Sequence, residues 1–563
     1  MTLKISPWRK VELKAGRFQP RLSPLFCLFS GTLFLTGLIL LLMSSIFSSC
    51  QRLPAPARVI LLTLDTQRAD HLSYVNASLA QTPHLDELAR AGVYFNHAYS
   101  LIPITLPSHA SLFFSQPPYK IKNYNNGQEI KRKRARPSFV NLFKKNGFKT
   151  AAFVSLGVLA SLFGLDEGFD TYEDSFPEDR WYLHAGEVNE RVFPWLEAHR
   201  QEPFFLWLHY SDPHDPYAPP DSPDDLRLYF NDQLILQTCL NKYRTHRLSL
   251  ELKPGLNRLY LEVDNFADSN PDHFLARLDL LQVIDAATKA EIRADLTRGW
   301  YIRRQDNVFF FKSGSVVEIE NGPTPRKVFF VFRGKLLLPV DVTARQYRAE
   351  VEYMDSEIGR LVDRLKELNL YENTLFVVVG DHGEGLGEYQ NIFGDPHIGH
   401  IHFLYDVYLR IPFIITYPGH LASGQKNETP VTLLDVAPTI LAIMGWERLP
   451  QQLGRNVLKL KKAEIPPLYF ETYRPEAVRD RFAIFQLPWS LIITPEDRRL
   501  EVFNLAQDPL EKNDLSADVE NNVEVERLKK LLEDFARTAL KEKEDIVIDK
   551  KTEEMLRSLG YIR

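Results

Sequence analysis

Two stretches decide the fold: RVILLTLDTQRAD, Arg58 to Asp70, and LFVVVGDHGEG, Leu375 to Gly385. Each begins as a short unbroken run of Val, Ile and Leu and lacks the polar alternation of a half-exposed strand, so each reads as a strand buried on both faces of a parallel sheet. Ligands of such sheets gather beyond the carboxyl ends of the strands. Both runs end there on acidic residues, Asp65 after the first and Asp381 with His382 after the second. Two carboxylates and an imidazole meeting in one crevice make up most of a ligand set for a divalent cation. Taken singly, Asp65 with Thr66 also reads as the cap of a helix near Gln67, and Asp-His-Gly as an ordinary turn. The two segments together point to a metal-dependent enzyme.

Outward from the first run, the chain alternates helix-like and strand-like segments. TPHLDELARAGVYF is a helix with apolar Leu85, Leu88 and Ala89, stopped by Gly92 and followed by an extended piece; SFVNLFKKNGFKTAAFVS repeats the pattern. PFFLWLHYSDPHDPYAPP is a further buried strand running into a Pro-rich loop. This rhythm implies a mainly parallel α/β sheet sandwiched by helices. It breaks at residues 221–342, where LRLYF, LILQTCL, RLSLEL, RLYLEV, RLDLLQV, VFFF, SVVEIE and KVFFVF are separated by Asn231-Asp232, Pro254-Gly255 and Asn321-Gly322. Short alternating strands at that spacing predict an inserted antiparallel β-sandwich. The catalytic α/β domain thus divides into 58–220 and 343–460, resuming with the amphipathic helix YRAEVEYMDSEIGRLVDRLKEL before the Asp381 strand. Residues 461–563 form a smaller C-terminal α+β subdomain, closing on a charged helix near Glu524 to Lys541.

The 563 residues, 44% hydrophobic and 25% charged, suffice for several cores, and a formal net charge of -5 excludes a nucleic-acid binder on overall balance. The run KRKRARP, Lys131 to Pro137, reads as a solvated loop. Residues 1–23 are basic, with Lys4, Arg9, Lys10, Lys14, Arg17 and Arg21 against Glu12, while Leu22 to Gln51 carries no charge. The segment 24–50 is expected to be a membrane anchor with a cytoplasmic N-terminus, followed by a linker at 51–57, which leaves the catalytic domain extracytoplasmic. FSSC before Gln51 resembles a lipoprotein processing site at Cys50, although Phe47 fits it poorly, so lipoprotein and uncleaved signal anchor both stand. Cys27, Cys50 and Cys239 form neither a disulfide framework nor a zinc-thiolate site.

Between the two metal-suggesting strands lies ITLPSHASLFF, Ile104 to Phe114. A hydroxyl residue before a proline-fixed helix start would hold Thr105 toward the crevice, with backbone amides open to an anion. Capping of the helix by Ser108 is the plainer alternative.

With these segments in place the chain resembles the sulfatase family of the alkaline phosphatase superfamily. The family's metal-binding Asp, its Cys- or Ser-x-Pro-Ser-Arg nucleophile segment and its later Asp-His or Asp-Asn match Asp65, Thr105 to His109, and Asp381-His382 in order. Flanking phrases match as well: TPHLDELARAGVYF, FGLDEGFDTYED, HYSDPHDPY, VEYMDSEIGRL, LYDVYLRIPFII, LLDVAPTI, VFNLAQDPLEKNDL and LRSLGYI. The resemblance spans Arg58 to Tyr217 and Arg348 to Ile562, and implies an alkaline-phosphatase-like fold acting on an anionic ester. Three departures bear on the chemistry. Formylglycine, the aldehyde of the family's true sulfatases, is made from Cys or Ser, and the extra methyl of Thr105 prevents it. His109 stands in place of an Arg, and Thr66 in place of a second metal-binding Asp.

The set Asp65, Thr105, Asp381 and His382 is similar to that of phosphoryl-transferring relatives in which an unmodified Thr attacks phosphorus. An imidazole among the ligands favours Zn²⁺ or Mn²⁺ over Ca²⁺. By the resemblance, Asp212, His214 and His402 are expected at the substrate. His109, His214, His400 and His402 are candidate catalytic groups, with His214, His400 and His402 either protonating the leaving oxygen or binding a second metal. His209 and His397 read as exposed loop histidines. The leading expectation is a membrane-tethered hydrolase of phosphate or sulfate esters, on a glycan or lipid, with Thr105 as covalent nucleophile. The alternatives are a transferase of phosphoryl head groups and a non-catalytic glycan-binding protein.

Overall fold

Arg58–Leu64 forms the central strand of an eight-stranded sheet, with Thr374–Gly380 on one side and Phe204–Tyr210 on the other, both parallel to it. The register pairs Leu64 with Gly380 and with Tyr210, so Asp65, Asp381 and Ser211 leave three adjacent strands at the same level. Beyond Phe204–Tyr210 come Lys149–Phe153 and Thr171–Glu173, also parallel. On the other flank Phe413–Thr416 runs antiparallel, followed by Val93–Phe95 and Gln425–Asn427. The computed structural model describes residues 53–131, 137–215, 217–220, 222, 225–240, 244–263, 275–303, 308–391, 394–460, 466–473, 479–519, 522–544 and 548–558.

The unbroken apolar runs follow from having a core on each face. Val59, Leu61, Phe205, Trp207, Val377 and Val379 point into one core, shared with the helices Thr105–Phe114 and Val436–Ile443. Ile60, Leu62, Leu64, Leu206, Phe376 and Val378 point into the other, against Pro83–Ala91, Ala185–Ala198 and Val340–Glu367. Each such side chain contributes roughly 1.5–3 kcal/mol of burial. Gly92 ends the Pro83–Ala91 helix as expected, for a steric reason: a Cβ there would lie 2.2 Å from the Ile415 carbonyl oxygen.

The strands of the insert run from Leu226–Phe230 to Arg326–Leu336 and belong to one antiparallel sheet. Its inward residues, including Leu228, Leu250, Leu259, Leu278, Val317 and Phe330, share a core, so the expected sandwich is a continuous sheet curled over its own side chains. Asn231 and Asp232 both have positive φ (46° and 69°), the two-residue turn that suits a hairpin twist. The long helix begins at Val340, inside the expected limit of the insert. The C-terminal subdomain is a four-stranded antiparallel sheet, Leu468–Thr472, Arg481–Gln486, Trp489–Thr494 and Arg499–Asn504, covered by the helix Val523–Glu542. The anchor and lipoprotein expectations, with most of KRKRARP, lie outside the described residues. Among those described, no helix is long and apolar enough to cross a membrane.

Candidate active site

The strand register does the first part of the assembly. Asp65, Asp381 and His382 are fully buried, with one ligand atom from each lying within 4.8 Å of the others. Asp381 Oδ1 accepts from the amides of Thr66 (3.1 Å) and His382 (2.7 Å), which fixes the carboxylate and aims Oδ2 into the site. Among the described residues, neither Asp65 oxygen nor Asp381 Oδ2 meets a hydrogen-bond donor. The nearest candidate, His209 Nε2, lies 3.2 Å from Asp65 Oδ2 without hydrogen-bond alignment. The orientation of His382 follows from its partner. Nδ1 lies 3.0 Å from the Gly383 carbonyl oxygen, which can only accept, so Nδ1 carries the proton and Nε2 presents a lone pair. That lone pair lies 3.4 Å from Asp381 Oδ2 and 3.8 Å from Asp65 Oδ1.

Buried acceptors without donors, facing an imidazole lone pair, are the surroundings a divalent cation needs. The electrostatics agree. Burial raises the Asp65 carboxyl, but contact with His209 and the influence of His214, His209 and His382 outweigh it and hold Asp65 well below the usual carboxylate range. Asp381 moves the other way, pushed well above that range by burial and then by the facing Asp65. Two facing buried carboxylates resist joint ionisation, and a cation between them removes the conflict. The residues therefore fit the metal that the sequence implies.

The helix Thr105–Phe114 brings Thr105 to this site in its first turn, and Thr105 Oγ1 lies 3.3 Å from His382 Nε2. Ser108 does not cap the helix. Its hydroxyl donates to the Asp381 carbonyl (2.5 Å) and meets Ser100 Oγ at 2.8 Å, tying the helix to the end of the Asp381 strand. The expected anion cradle of backbone amides is not formed: the Leu106 amide donates to Asn126 Oδ1 (2.8 Å), Pro107 has none, and the Ser108 amide bonds the Ile104 carbonyl. Asn126 turns a different donor loose. Its Nδ2 is buried and among the described residues without an acceptor, while its Oδ1 holds the amide of Leu106, the residue after Thr105, a placement that suits an anionic oxygen.

His109, a candidate catalytic group by sequence, sits behind the nucleophile. Its Nδ1 lies 2.8 Å from the Thr105 carbonyl oxygen and must donate; its Nε2 then accepts from Thr63 Oγ1 at 3.0 Å. Both nitrogens are engaged in holding the Thr105 turn to the Arg58–Leu64 strand, and burial pushes its pKa down to about 3. Asp212, expected at the substrate, instead receives the Ala185 amide on both oxygens (3.1 Å each) at the start of the Ala185–Ala198 helix, with His184 Nδ1 at 3.2 Å. His402 stands against His397, ring centroids 5.1 Å apart.

His400 is the histidine that stands against the site: its ring lies 4.4 Å from His382 and 5.3 Å from His214. His400 Nδ1 faces Glu384 Oε2 at 3.2 Å. Burial opposes its protonation, but Glu384 outweighs burial and raises it, while burial and then the charge of His400 lower His214 against the pull of Asp65. His209 and His397, read as exposed, are both buried. His209 meets Ser155 Oγ at 2.9 Å and Asp65, and His397 Nδ1 lies 3.0 Å from the Tyr408 hydroxyl. Thr66 adopts φ 54°, an outlier for a β-branched residue, and its hydroxyl bonds the Asp65 (2.8 Å) and Pro213 (2.5 Å) carbonyls. That strained residue locks the Asp65 loop to the loop carrying His214.

Asn126, His209 and Glu384 were missed by sequence reasoning. Signals existed for two of them: His209 lies at the carboxyl end of an apolar run, and Glu384 lies within DHGEG. Asn126 had none.

The protein-family model described as sulfatase matches residues 57–446, and that of the N-sulphoglucosamine sulphohydrolase C-terminal region matches 388–538. The N-acetylglucosamine-6-O-sulfatase of Bacteroides thetaiotaomicron is 23% identical over 510 residues, covering 84% of this chain and 85% of the relative. The choline-sulfatase of Rhizobium meliloti is 22% identical over 456 residues, covering 78% of each. Among solved structures, one in complex with its substrate D-glucosamine-2-N,6-O-disulfate superposes with a TM-score of 0.57 at 17% identity, covering 87% of this chain and 99% of that one. The phosphonate monoester hydrolase of Silicibacter pomeroyi gives 0.54 at 18% identity, covering 86% and 95%.

Proposed function

Since the chain belongs to the sulfatase family, whose members hydrolyse sulfuric and phosphoric esters, we propose that it cleaves phosphate mono- or diesters through an unmodified Thr105 nucleophile. The observation that carries this is the 3.3 Å approach of Thr105 Oγ1 to the His382 lone pair, beside three carboxylate oxygens, both of Asp65 and Oδ2 of Asp381, that meet no donor among the described residues, at a residue whose β-methyl bars the family's aldehyde.

A divalent cation held by Asp65, Asp381, His382 and Thr105 would make the threonine alkoxide accessible and neutralise charge on the ester's oxygens. Zn²⁺ and Mn²⁺ suit this mixed oxygen and nitrogen set better than Ca²⁺. The chain's own groups do the rest. His109 and Ser108 hold the Thr105 turn in place, and Asn126 Nδ2 donates to an ester oxygen. Thr105 loses its hydroxyl proton to solvent, and its Oγ forms a bond to phosphorus as the bond to the leaving oxygen breaks. That oxygen takes a proton from His400, beside His214, and water then attacks the phosphorylated threonine, releasing phosphate from a monoester or a phosphate monoester from a diester and restoring the Thr105 hydroxyl. The relatives named as acting on sugar sulfates make a sugar the favoured alcohol portion. The uncharged segment after the basic N-terminus supports a site tethered outside a membrane.

Rapid quenching of the enzyme with a slow aryl phosphate, followed by intact-protein mass spectrometry, should show an added phosphoryl group that maps to Thr105. Thr105→Ala should lose turnover while keeping its fold, and Thr105→Ser should retain part of it. An undiminished rate in Thr105→Ala with no modified protein would replace the covalent mechanism with direct attack by water.

A further inference from the structure

The inserted sheet reaches the active site through charge. Lys335, on the strand Arg326–Leu336, pairs with Asp215, the residue after His214. Arg277, on the strand Ala276–Asp285, is the direct antiparallel partner of Lys335, so both side chains leave the same face of the sheet. Its guanidinium acts on Asp215 as well. Among the described residues the Arg277 side chain makes no ion pair and no hydrogen bond, and its Nε is shielded from water without an acceptor. Two cations of the insert thus face the Asp215 carboxylate, and among the described residues Arg277 has no carboxylate of its own. The place is next to the chemistry. His214 donates through Nδ1 to the Asp215 carbonyl oxygen (2.6 Å), its ring lies 5.3 Å from that of His400, and the Asp215 charge is felt at both His400 and Glu384.

We infer that Arg277 and Lys335 form an anion subsite, contributed by the insert, that binds a second anionic group of the substrate away from the scissile ester. This rests on the reading of the site as an ester hydrolase, and it names the substrate class: esters of polyanions, such as multiply phosphorylated or sulfated sugars. Asp215 holds Lys335 in place and keeps the pair from trapping small anions. Arg277 supplies the second charge. Nearby Arg333 is already paired with Asp279 at 3.2 Å and adds no net charge.

The test uses the whole chain, with 4-nitrophenyl phosphate as reporter and glucose 6-phosphate and glucose 1,6-bisphosphate as competitors. The bisphosphate should inhibit about 5- to 10-fold more strongly than the monophosphate, the scale of one specific charge contact. Arg277→Gln should bring the two inhibition constants to parity while leaving the melting temperature unchanged, and Arg277→Lys should keep most of the preference. Lys335→Gln, as a second variant, should reduce it too. A preference that survives in Arg277→Gln, or an absent one in the unaltered enzyme, overturns the subsite. If the reporter is not hydrolysed, the ester-hydrolase reading fails instead, and the same ratio read by calorimetric binding of the two sugars still decides the subsite.

Discussion

Asp381→Asn should stabilise the metal-free protein while abolishing its response to metal, two effects of opposite sign from one atom. In the native site Asp381 Oδ1 already takes the Thr66 and His382 amides, and an asparagine oxygen keeps both bonds. The change falls on Oδ2, buried, donorless, and 3.4 Å from His382 Nε2. An amide NH₂ there points two donors at groups that lack them, the His382 lone pair and Asp65, and replaces a carboxyl that burial and Asp65 keep from ionising. Satisfying buried polar groups of this kind is worth about 1–3 kcal/mol. At about 2 cal/mol/K of unfolding entropy per residue, 1 kcal/mol moves the Tm of a chain this long by about 1 °C, so chelated Asp381→Asn should melt about 1–3 °C above chelated native protein. Zn²⁺ or Mn²⁺ at a hundredfold excess over Kd should stabilise the native protein by about 2.7 kcal/mol and the variant by almost nothing. Scanning calorimetry with and without chelator, together with metal analysis and turnover, reads all three. A chelated variant less stable than chelated native protein, or one that binds and responds to metal normally, would refute the assignment of Oδ2 as a ligand.

The C-terminal subdomain should make stability depend on pH. Glu511 accepts from the Asp406 amide (2.5 Å) and the Ser490 hydroxyl (2.7 Å), and burial, then Asp406, push it up to about 8. A carboxyl raised on folding binds a proton that the unfolded chain releases, so its contribution is full below the unfolded value near 4.5 and is lost as pH rises toward 8. Glu511→Gln should flatten the fall in Tm between pH 5 and 8; an unchanged slope would remove Glu511 as its source. A chain beginning at Arg58 should be soluble and retain full turnover, since the described catalytic residues all follow it; partition into membranes as strong as that of the full chain would refute a single N-terminal tether.

Much of the architecture was legible because it rests on local periodicity. A strand buried on both faces needs apolar residues at every position, and the Arg58–Leu64 and Thr374–Gly380 runs show that directly. Since neighbouring parallel strands end together, Asp65, Asp381 and His382 were placed by the same signal. The insert was visible for the converse reason, a change to alternation with turn residues at regular spacing. The family resemblance put Thr105 in the site and Thr66 beside it.

What the tertiary structure alone decided is which neighbour each polar group meets. His109 and Asp212 carry chemistry-bearing side chains in the right segments, yet one is held between Thr105 and Thr63 and the other binds a helix amide. His209 passed for a loop residue until strand pairing set it opposite Thr63 and beside Asp65. Asn126 and the Arg277–Lys335 pair lie far along the chain from the residues they serve. A side chain's role depends on hydrogen-bond partners brought together by register and by the packing of separate elements. Sequence spacing encodes burial and period, and it carries no record of those partners.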